Sequence, residues 1–425
     1  MTTAPINLFD PATLLDPYDA YRTLRDTQPV YPIPAMNIHV VTRYDLIREA
    51  IKDTDTYSSR FEAFMARTRE AGIAQASPAA RAKLEAIEAE LIALPPTMLT
   101  LDQPEHTEYR SLVSQLFTGS EVKRSEPQVL AVIEACLKSM LSSAVDGCVD
   151  FVEHFAFPVP LRIIADRLGI PEPERAFFDK AATAAASTLR MAPLSDEELI
   201  HRAELARDLQ KLLCRLIDER RQQPTDDMIS ILANSTLEKA GRALTYGEAI
   251  SILNQFLVAG HETTASTFGW AMLALCQQHE LQDQIRGDEK RIRTFVEEAL
   301  RIESPVQGLP RRVTKDTELG GYPLNAGDFI MLRFGAGNRD ERQFPDPDQI
   351  DITRDKAGMQ LAFGSVVHHC IGAPLARQEL NLGFRALLKA LHNIRLATDQ
   401  IPKAEPSFIL RNLPTLPIRF DRRTN

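Results

Sequence analysis

Cys370 holds the position in this chain that most favours reactive chemistry. It ends the segment FGSVVHHC (363–370), and Ala373-Pro374 opens a helical run just after it. Proline suits the first turn of a helix, where its missing N–H costs nothing. A sulfur ahead of that helix faces unpaired N–H groups and the positive end of the helix dipole, and both favour thiolate over thiol. Such a thiolate is a candidate nucleophile, redox sensor or metal ligand, and a small buried hydrophobic side chain is the alternative.

A second set of polar residues interrupts a long apolar run. The segment AGHETT (259–264) brings Gly260, Glu262 and Thr263 into it. Glycine costs a helix about 1 kcal/mol relative to alanine, and the Thr263 hydroxyl can bond the Ala259 carbonyl four residues back. A carboxylate desolvated in such a helix is suited to passing protons unless it is paired. A polar kink or a solvated helix patch is the alternative interpretation.

Two further pairs have helical spacing. Glu298 and Arg301 are three residues apart, which is an ordinary ion-pair spacing on one helix face. His106 and Arg110 are four residues apart at the start of another helical run, and together they could bind an anion. Taken alone, each pair indicates no more than a solvated helix face.

Helices must position most of these residues, because helical periodicity dominates the chain from about 106 to 240. Thr245 and Glu248 have capping-box spacing, which predicts that a longer helix starts there. If this helix continues to Cys276, it spans about 48 Å, and its apolar first half predicts burial on every side. Short strands are predicted at 29–42 and after a further helix at 288–302.

The sequence also excludes several classes of protein. No GxGxxG follows a strand and no GxxxxGK[ST] occurs, so a doubly wound nucleotide-binding sheet is not expected. The net charge of −9 disfavours nucleic-acid binding. The five cysteines form no CxxC pair, which argues against a zinc ribbon or a disulfide framework and for a reduced, cytoplasmic chain. Neither a signal peptide nor a membrane span is predicted.

Taken together in this order, these segments resemble the cytochrome P450 superfamily, specifically its soluble bacterial members, over almost the whole chain. The resemblance is carried by AGHETT (259–264), EALR (298–301), LPRRVTKDTELGGYPLNAGD around Arg311, NRDERQFPDPDQIDITR, and FGSVVHHCIG around Cys370. It implies a mainly α fold with small β-sheets, in which residues 1–425 form a single domain around a buried haem.

The resemblance also implies roles for the candidate residues. Cys370 would be the axial thiolate ligand of the iron in haem b, a ligand that favours O–O cleavage, and the other four cysteines would have no role. Glu262 and Thr263 would be the acid–alcohol pair that delivers protons during dioxygen activation. The remaining haem-contacting residues would be Ala259, Gly260, Phe363 and Gly372, with His106, Arg110, Arg311 (or its neighbour Arg312) and His368 at the two propionates.

Glu298 and Arg301 match the family's structural ion pair, which supports the coil on the haem side and is not catalytic. Two positions depart from the family's pattern. Many members have glycine at Val366, where φ > 0 or a close approach to the porphyrin would strain a β-branched residue. We expect either a different local path of this loop, or weaker haem retention and more of the inactive, protonated-thiol enzyme. The other position is Gln349, where the coil often supplies an arginine to the ion pair.

The implied function is a haem-thiolate monooxygenase that inserts one oxygen atom of O2 into a hydrophobic small molecule, such as a terpenoid, steroid, fatty-acyl or aromatic compound. The expected pocket wall is mostly apolar, with Gln307 as a polar contact, and comprises Phe61–Met65, Thr97–Leu101, 183–194, Leu257–Gly260, Val306–Leu309 and Ile409. The alternatives are a haem-thiolate enzyme that does not activate O2, namely a peroxygenase or an isomerase, and a non-enzymatic haem sensor.

Electrons would have to come from other proteins, because the chain has no flavin, nicotinamide or iron–sulfur motif. The resemblance implies that NAD(P)H supplies them through a ferredoxin reductase and a ferredoxin. An acidic ferredoxin would dock near Cys370 on a basic surface to which Arg110, Lys123, Arg124 and Arg377 contribute. We expect the protein to be a monomer that binds neither nucleic acid nor membranes.

Overall fold

Helices dominate the computed structural model, which describes residues 6–187 and 194–423. The long helix around AGHETT has 32 residues and lies within one position of its predicted bounds. The α-helices in the described ranges are α1 (Pro11–Leu15), α2 (Tyr18–Thr27), α3 (Tyr44–Lys52), α4 (Glu62–Ala74), α5 (Pro78–Glu88), α6 (Glu105–Ser114), α7 (Gly119–Arg124), α8 (Glu126–Ser143), α9 (Pro158–Leu168), α10 (Arg175–Ser187), α11 (Asp196–Gln222), α12 (Met228–Ala233), α13 (Tyr246–Gln277), α14 (His279–Ile285), α15 (Glu289–Ile302), α16 (Phe334–Gly337) and α17 (Ala373–Ala390).

A capping box starts α13, as its sequence predicts. The Glu248 N–H donates to Thr245 Oγ1 at 3.2 Å, and the Thr245 N–H donates to Glu248 Oε2 at 2.8 Å. Bonding from the Arg242 guanidinium, more than any other contact, lowers the pKa of Glu248 to about 2. The cap therefore stays charged at neutral pH, where a carboxylate at a helix N-terminus is stabilising.

The strands form small sheets. A five-stranded sheet has the order β1-β2-β10-β7-β3, with β2 and β10 parallel and the pairs β1–β2 and β7–β10 antiparallel. A second sheet has the order β11-β12-β4, and β5-β6 and β8-β9 form two-stranded sheets. The strands are β1 (Val30–Ile33), β2 (Ile38–Val41), β3 (Tyr57–Ser58), β4 (Cys148–Asp150), β5 (Thr236–Leu237), β6 (Arg242–Ala243), β7 (Leu309–Val313), β8 (Thr317–Leu319), β9 (Tyr322–Leu324), β10 (Phe329–Leu332), β11 (Leu391–Leu396) and β12 (Pro417–Arg422).

The chain divides into two compact units, each built from separate segments. The first unit consists of Met1–Tyr57, Val122–Pro160 and Glu262–Asn425, and the second of Ser58–Glu121 and Leu161–His261. Residues of α13 up to His261 thus belong to the second unit, and those from Glu262 onward to the first. That residues 1–425 act as one domain stays a prediction.

The first unit has two apolar centres. One lies between the five-stranded sheet and α3, where Ile47, Val41 and Ile330 are fully buried. In the other, Phe268 of α13 packs against Phe384 of α17, with ring centroids 5.4 Å apart. The Phe268–Phe384 contact packs the second half of α13, which carries Glu262, against α17, the helix that follows Cys370.

The second unit is helical, with α11 packed on α5, α10 and α12. Its part of α13 is anchored by Phe256, whose ring stacks on Phe117 at 5.1 Å. The predicted mainly α fold with small β-sheets is confirmed. No helix in the described ranges is long and apolar enough to cross a membrane.

Candidate functional site

Cys370 lies in a hydrogen-bonded loop directly before α17. Its N–H donates to the Phe363 carbonyl at 2.8 Å, and the Gly364 N–H donates to the Leu361 carbonyl at 2.8 Å. Gly372 is the N-cap of α17, and a Cβ built on it would lie 3.9 Å from Cys370 Sγ. The sulfur is therefore beside the first turn of α17, where the helix dipole favours a thiolate.

The other four cysteines have different surroundings. Cys370 is exposed, whereas Cys136 and Cys276 are buried and Cys148 and Cys214 are half-buried. Burial raises the pKa of Cys276 to about 12 and also raises the pKa of Cys214. Those two thiols stay protonated near neutral pH, so Cys370 is better placed than either of them to act as a thiolate.

Val366, at a position where glycine was expected, has a left-handed backbone conformation. Its φ is +58°, and 49% of the residue is exposed. The neighbouring Ser365 is fixed by Arg48, whose Nη1 donates to Ser365 Oγ at 2.7 Å. Since left-handed backbone costs an L-residue about 1–2 kcal/mol, the loop keeps this conformation at the expense of strain at Val366.

Replacing Val366 by glycine is expected to raise the free energy of unfolding by about 1 kcal/mol, because relief of the strain exceeds the entropy that glycine adds to the unfolded chain. Urea unfolding checks this result. Val367→Gly is the matched control, since Val367 lies outside the left-handed region, and it should lower the free energy of unfolding. Equal losses in both variants would show that Val366 is not strained.

Phe363 is held by a charged pair in the same unit. The Arg377 guanidinium lies over its ring, 4.4 Å from the centroid. Arg377 in turn donates to both carboxylate oxygens of Glu297, at 2.5 and 3.1 Å. The ring therefore has a fixed orientation beside Cys370, and the charge of Arg377 is balanced within the protein.

Strand alternation distinguishes Arg311 from its neighbour. In β7, Arg311 is 6% exposed and pairs in register with Ile330 of β10, whereas Arg312 is exposed. Arg311 Nη1 donates to the Pro310 carbonyl at 2.8 Å. Arg311 is therefore the inward-facing cation of this strand and remains the candidate. His368 lies half-buried in the same unit, at the end of the short 3-10 turn that begins at Val366.

Glu298 and Arg301 form a fully buried pair on α15. Both side chains are 0% exposed, and two guanidinium nitrogens of Arg301 donate to the two Glu298 oxygens at 2.7 and 2.9 Å. The guanidinium also donates to the carbonyls of Asn338, Pro347 and Gln349, at 3.0, 2.6 and 2.9 Å. The pair thus ties α15 to the coil that precedes the Cys370 loop.

An arginine of that coil does join the ion pair, although it was not predicted from the sequence. Arg354 Nε donates to Glu298 Oε1 at 3.0 Å, and its side chain is only 9% exposed. Arg354 lies five residues after Gln349. Gln349 is the position at which an arginine was expected. A search of the coil for any arginine, instead of one fixed position, could have found it.

Glu262 and Thr263 are adjacent on α13 at the start of its part in the first unit. Glu262 is 5% exposed, and its Oε1 accepts a hydrogen bond from Asn412 Nδ2. Thr263 is half-buried, and its carbonyl accepts from the Thr267 hydroxyl at 2.9 Å. A buried acid bonded by a neutral donor therefore stands next to a more accessible alcohol.

His106 and Arg110 lie one turn apart on α6, in the second unit. Gln103 Nε2 donates to His106 Nδ1 at 3.3 Å, so the neutral imidazole carries its proton on Nε2. Burial, and then the charge of Arg110, lowers the pKa of His106. A neutral N–H donor thus stands beside a guanidinium, a combination that suits a carboxylate.

Ala259 and Gly260 lie just before His261, the last residue of the second unit's part of α13. Ala259 is exposed although it lies in the middle of a long helix. A Cβ on Gly260 would lie 2.8 Å from Ile164 Cγ1, so glycine allows α9 to approach this closely. Close packing explains Gly260, because Ile164 fills the space that a side chain would take. Its contact with a cofactor stays a prediction.

Gln307, the expected polar contact of the substrate pocket, is buried, and its role toward a substrate stays a prediction. Gln307 is 1% exposed, and its Nε2 donates to the Ser304 carbonyl at 2.8 Å. A Cβ on Gly335 would lie 2.3 Å from Gln307 Oε1. The amide is therefore packed inside the first unit. Part of another expected wall segment, 188–193, lies outside the described residues.

The described residues fit the haem that the resemblance implies. In the first unit, an exposed thiol just before α17 is available as a thiolate ligand. In the second unit, taken by itself, His106 and Arg110 offer donors for a carboxylate. No group of three His, Cys, Asp or Glu that could hold a metal ion occurs in residues 6–187 and 194–423. An iron held in a porphyrin would need a single thiolate from the protein, and Cys370 matches that requirement.

Several known proteins are similar to this chain in sequence. The family model described as Cytochrome P450 matches residues 69–418. The 6-deoxyerythronolide B hydroxylase of Saccharopolyspora erythraea is 32% identical over 424 residues, which cover 99% of this chain and 100% of that protein. Cytochrome P450 monooxygenase PikC of Streptomyces venezuelae is 36% identical over 334 residues, which cover 78% of this chain and 77% of that protein.

The fold is similar to solved structures as well. That of cytochrome P450 CYP109Q5 from Chondromyces apiculatus superposes with a TM-score of 0.83 at 28% identity, and the match covers 99% of each chain. Similarity in sequence and in fold therefore extends over nearly the whole length.

Proposed function

Since this chain belongs to the cytochrome P450 family and is an oxygen-incorporating oxidoreductase, we propose that it inserts one atom of O2 into a hydrophobic small molecule and releases the other as water. The observation that carries the proposal is the pairing of an exposed cysteine at a helix N-terminus with an acid–alcohol pair in a long buried helix. A peroxygenase or an isomerase would not need that acid–alcohol pair.

The residues proposed to hold haem b are spread along the chain between His106 and Gly372. Cys370 would bind the iron through its thiolate, and Phe363 and Gly372 would shape the loop around that ligand. His106, Arg110, Arg311 and His368 would bind the propionates, and Ala259 and Gly260 would contact the porphyrin. When bound, the haem supplies the redox chemistry that splits dioxygen.

Glu262 and Thr263 are proposed to handle the protons of this reaction. Two protons are consumed for each water released, and both must cross a largely apolar interior. The Glu262 carboxyl is a group that can pass protons, and the adjacent Thr263 hydroxyl can both accept and donate one. The greater accessibility of Thr263 supports a role on the side of the helix that meets the substrate.

The substrate is proposed to be a terpenoid, steroid, fatty-acyl or aromatic compound, with its recognition mostly apolar. In the second unit, the expected wall segments include the buried apolar side chains of Phe61, Met98 and Leu257. Leu99, which belongs to the same segments, is 44% exposed. One similar protein is named for its action on 6-deoxyerythronolide B, which supports a bulky hydrophobic substrate.

The cytoplasmic location and the monomeric state stay predictions from the sequence.

The haem-loaded protein, a ferredoxin, its reductase and NAD(P)H provide the test. A panel of hydrophobic compounds is first screened for a shift of the ferric Soret band, which reports binding near the iron. Each binder is then incubated under ¹⁸O2, and mass spectrometry should find one ¹⁸O atom in the product. Product formed only with added peroxide, or an isomerised product without ¹⁸O, would contradict the proposal.

Two cations of the first unit support a docking site for an acidic ferredoxin. Lys123 and Arg124 are exposed at the end of α7. Gln378 Nε2 donates to the Val122 carbonyl at 2.7 Å, which places this end of α7 beside the first turns of α17. Arg377, also expected to contribute, is neutralised by Glu297. We therefore assign much of the attraction within this unit to Lys123.

Replacing Lys123 by glutamate is expected to slow reduction of the haem by ferredoxin about threefold or more at low ionic strength, because charge on the docking surface steers the encounter. Stopped-flow measurements at two salt concentrations check this. Lys389→Glu is the matched control, since Lys389 lies about 24 Å along α17 from its first residue. Equal rates in the two variants would contradict docking at Lys123.

A further inference from the structure

The segment from Ile409 to Leu413 is clamped against one face of α13. Trp270 Nε1 donates to the Arg411 carbonyl at 2.9 Å, and the Ser266 hydroxyl donates to the same oxygen. Leu413 packs on Gly269, whose added Cβ would lie 3.7 Å from it. Because Glu262, Ser266 and Trp270 follow each other at four-residue spacing, they share one helix face.

The far side of the segment is fixed as well. The Arg411 N–H donates to the Pro305 carbonyl at 3.0 Å, and the Glu405 N–H donates to the Asn412 carbonyl at 2.9 Å. The Arg411 side chain donates to Glu303 Oε2 at 2.7 Å. The backbone that carries Asn412 therefore has little freedom to move relative to Glu262.

The side chain of Asn412 is hydrogen-bonded to Glu262. Asn412 is 7% exposed, and its Nδ2 donates to Glu262 Oε1 across 150 positions of sequence. Its own oxygen, Oδ1, is buried and has no hydrogen-bond partner among the described residues. Among the described residues, the amide of Asn412 therefore makes its hydrogen bond to Glu262 and no other.

We propose that Asn412 is a positioning residue for proton transfer by Glu262, an inference that rests on the proposed function. By donating to Oε1, the amide fixes the rotamer of the carboxyl group and leaves its exchangeable proton on Oε2. When Oε2 gives up that proton to reduced dioxygen, the carboxylate keeps the amide donor on Oε1 and takes a new proton from water. The amide itself neither gains nor loses a proton.

Two replacements of Asn412 test this role. Asn412→Leu removes the donor, so the carboxyl loses its fixed orientation and more electrons should end in hydrogen peroxide, with product per NAD(P)H falling about tenfold. Asn412→Asp places a second carboxyl beside Glu262. Its product yield should be low at neutral pH and recover as the pH falls, because a protonated aspartic acid can donate to Oε1 as the amide does.

An infrared readout needs no turnover. The carboxyl band that disappears in Glu262→Gln identifies Glu262, and this band should shift in Asn412→Leu because the hydrogen bond is lost. Ser266→Ala is the matched control: it removes one bond to the clamped segment and leaves the Asn412–Glu262 bond in place. It should shift neither the band nor the peroxide yield.

The outcomes separate this inference from the function on which it rests. If the unaltered protein forms no ¹⁸O-labelled product, the proposed function is wrong. If it does, and Glu262→Gln diverts electrons to peroxide while both Asn412 variants behave like the unaltered protein, only the role of Asn412 is overturned. A pH profile of Asn412→Asp parallel to that of Asn412→Leu would also overturn it, because a merely structural side chain gives no recovery at low pH.

Discussion

Replacing Cys370 by serine is expected to abolish the thiolate-type band in the reduced carbon monoxide difference spectrum, together with all NAD(P)H-driven product formation. A serine hydroxyl beside the first turn of α17 occupies nearly the same space but does not ionise near neutral pH. It therefore cannot donate the electron density that a thiolate gives to haem iron. Spectra and product assays on equal amounts of purified protein measure both effects.

Cys214→Ser is the control for this prediction. Cys214 lies half-buried on α11, and burial raises the pKa of its thiol. Its replacement should change neither the spectrum nor the product yield. If Cys370→Ser kept the thiolate-type band, another cysteine would be the ligand and the assignment of Cys370 would be wrong.

Features with local causes were predictable from the sequence. The capping box at Thr245 and Glu248 depends on residues three apart, and the helix after Cys370 depends on the Ala-Pro pair that opens it. The left-handed backbone of Val366 was one of two expected outcomes, since the requirement for glycine there arises from the turn itself. In each case a few neighbouring residues determine the conformation.

Contacts between distant segments were not predictable in the same way. Arg354 reaches Glu298 across 56 positions, and Asn412 reaches Glu262 across 150. The sequence around Arg354 and Asn412 contains no motif that identifies their contacts. The packing of the chain determines that they reach Glu298 and Glu262. Gly260 illustrates the same limit: a glycine inside a helix indicates a close approach, but only the position of Ile164 shows what approaches.

Burial separates two ion pairs that look alike in the sequence. Asp288–Arg291 and Glu298–Arg301 both involve α15 and have the same three-residue spacing. The side chains of the first pair are 43% and 50% exposed, whereas those of the second are 0% exposed. An exposed pair contributes about 0.2–1 kcal/mol, but breaking a buried one costs about 3–5 kcal/mol because a desolvated charge is left unpaired.

Arg301→Met is therefore expected to lower the free energy of unfolding by about 3 kcal/mol, the lower end of that range, because Arg354 still pairs with the Glu298 carboxylate. The buried carbonyl of Asn338 and the part-buried carbonyls of Pro347 and Gln349 lose their donor as well, and a buried carbonyl left unsatisfied costs about 1–3 kcal/mol. Because a folded domain is stable by only about 5–15 kcal/mol, little folded protein should accumulate. Soluble yield and urea unfolding of whatever is recovered measure the effect.

Arg291→Met and Arg301→Lys make this prediction decisive. Arg291→Met makes the same chemical change on the same helix at an exposed site, and it should alter the free energy of unfolding by less than about 1 kcal/mol. Arg301→Lys keeps the charge but loses the planar fork that bonds both Glu298 oxygens, so its stability should lie between those of Arg301→Met and the unaltered protein. If Arg301→Met were as stable as Arg291→Met, burial would not be what distinguishes the two pairs. The coil before Cys370 would then be held in place by contacts other than Arg301.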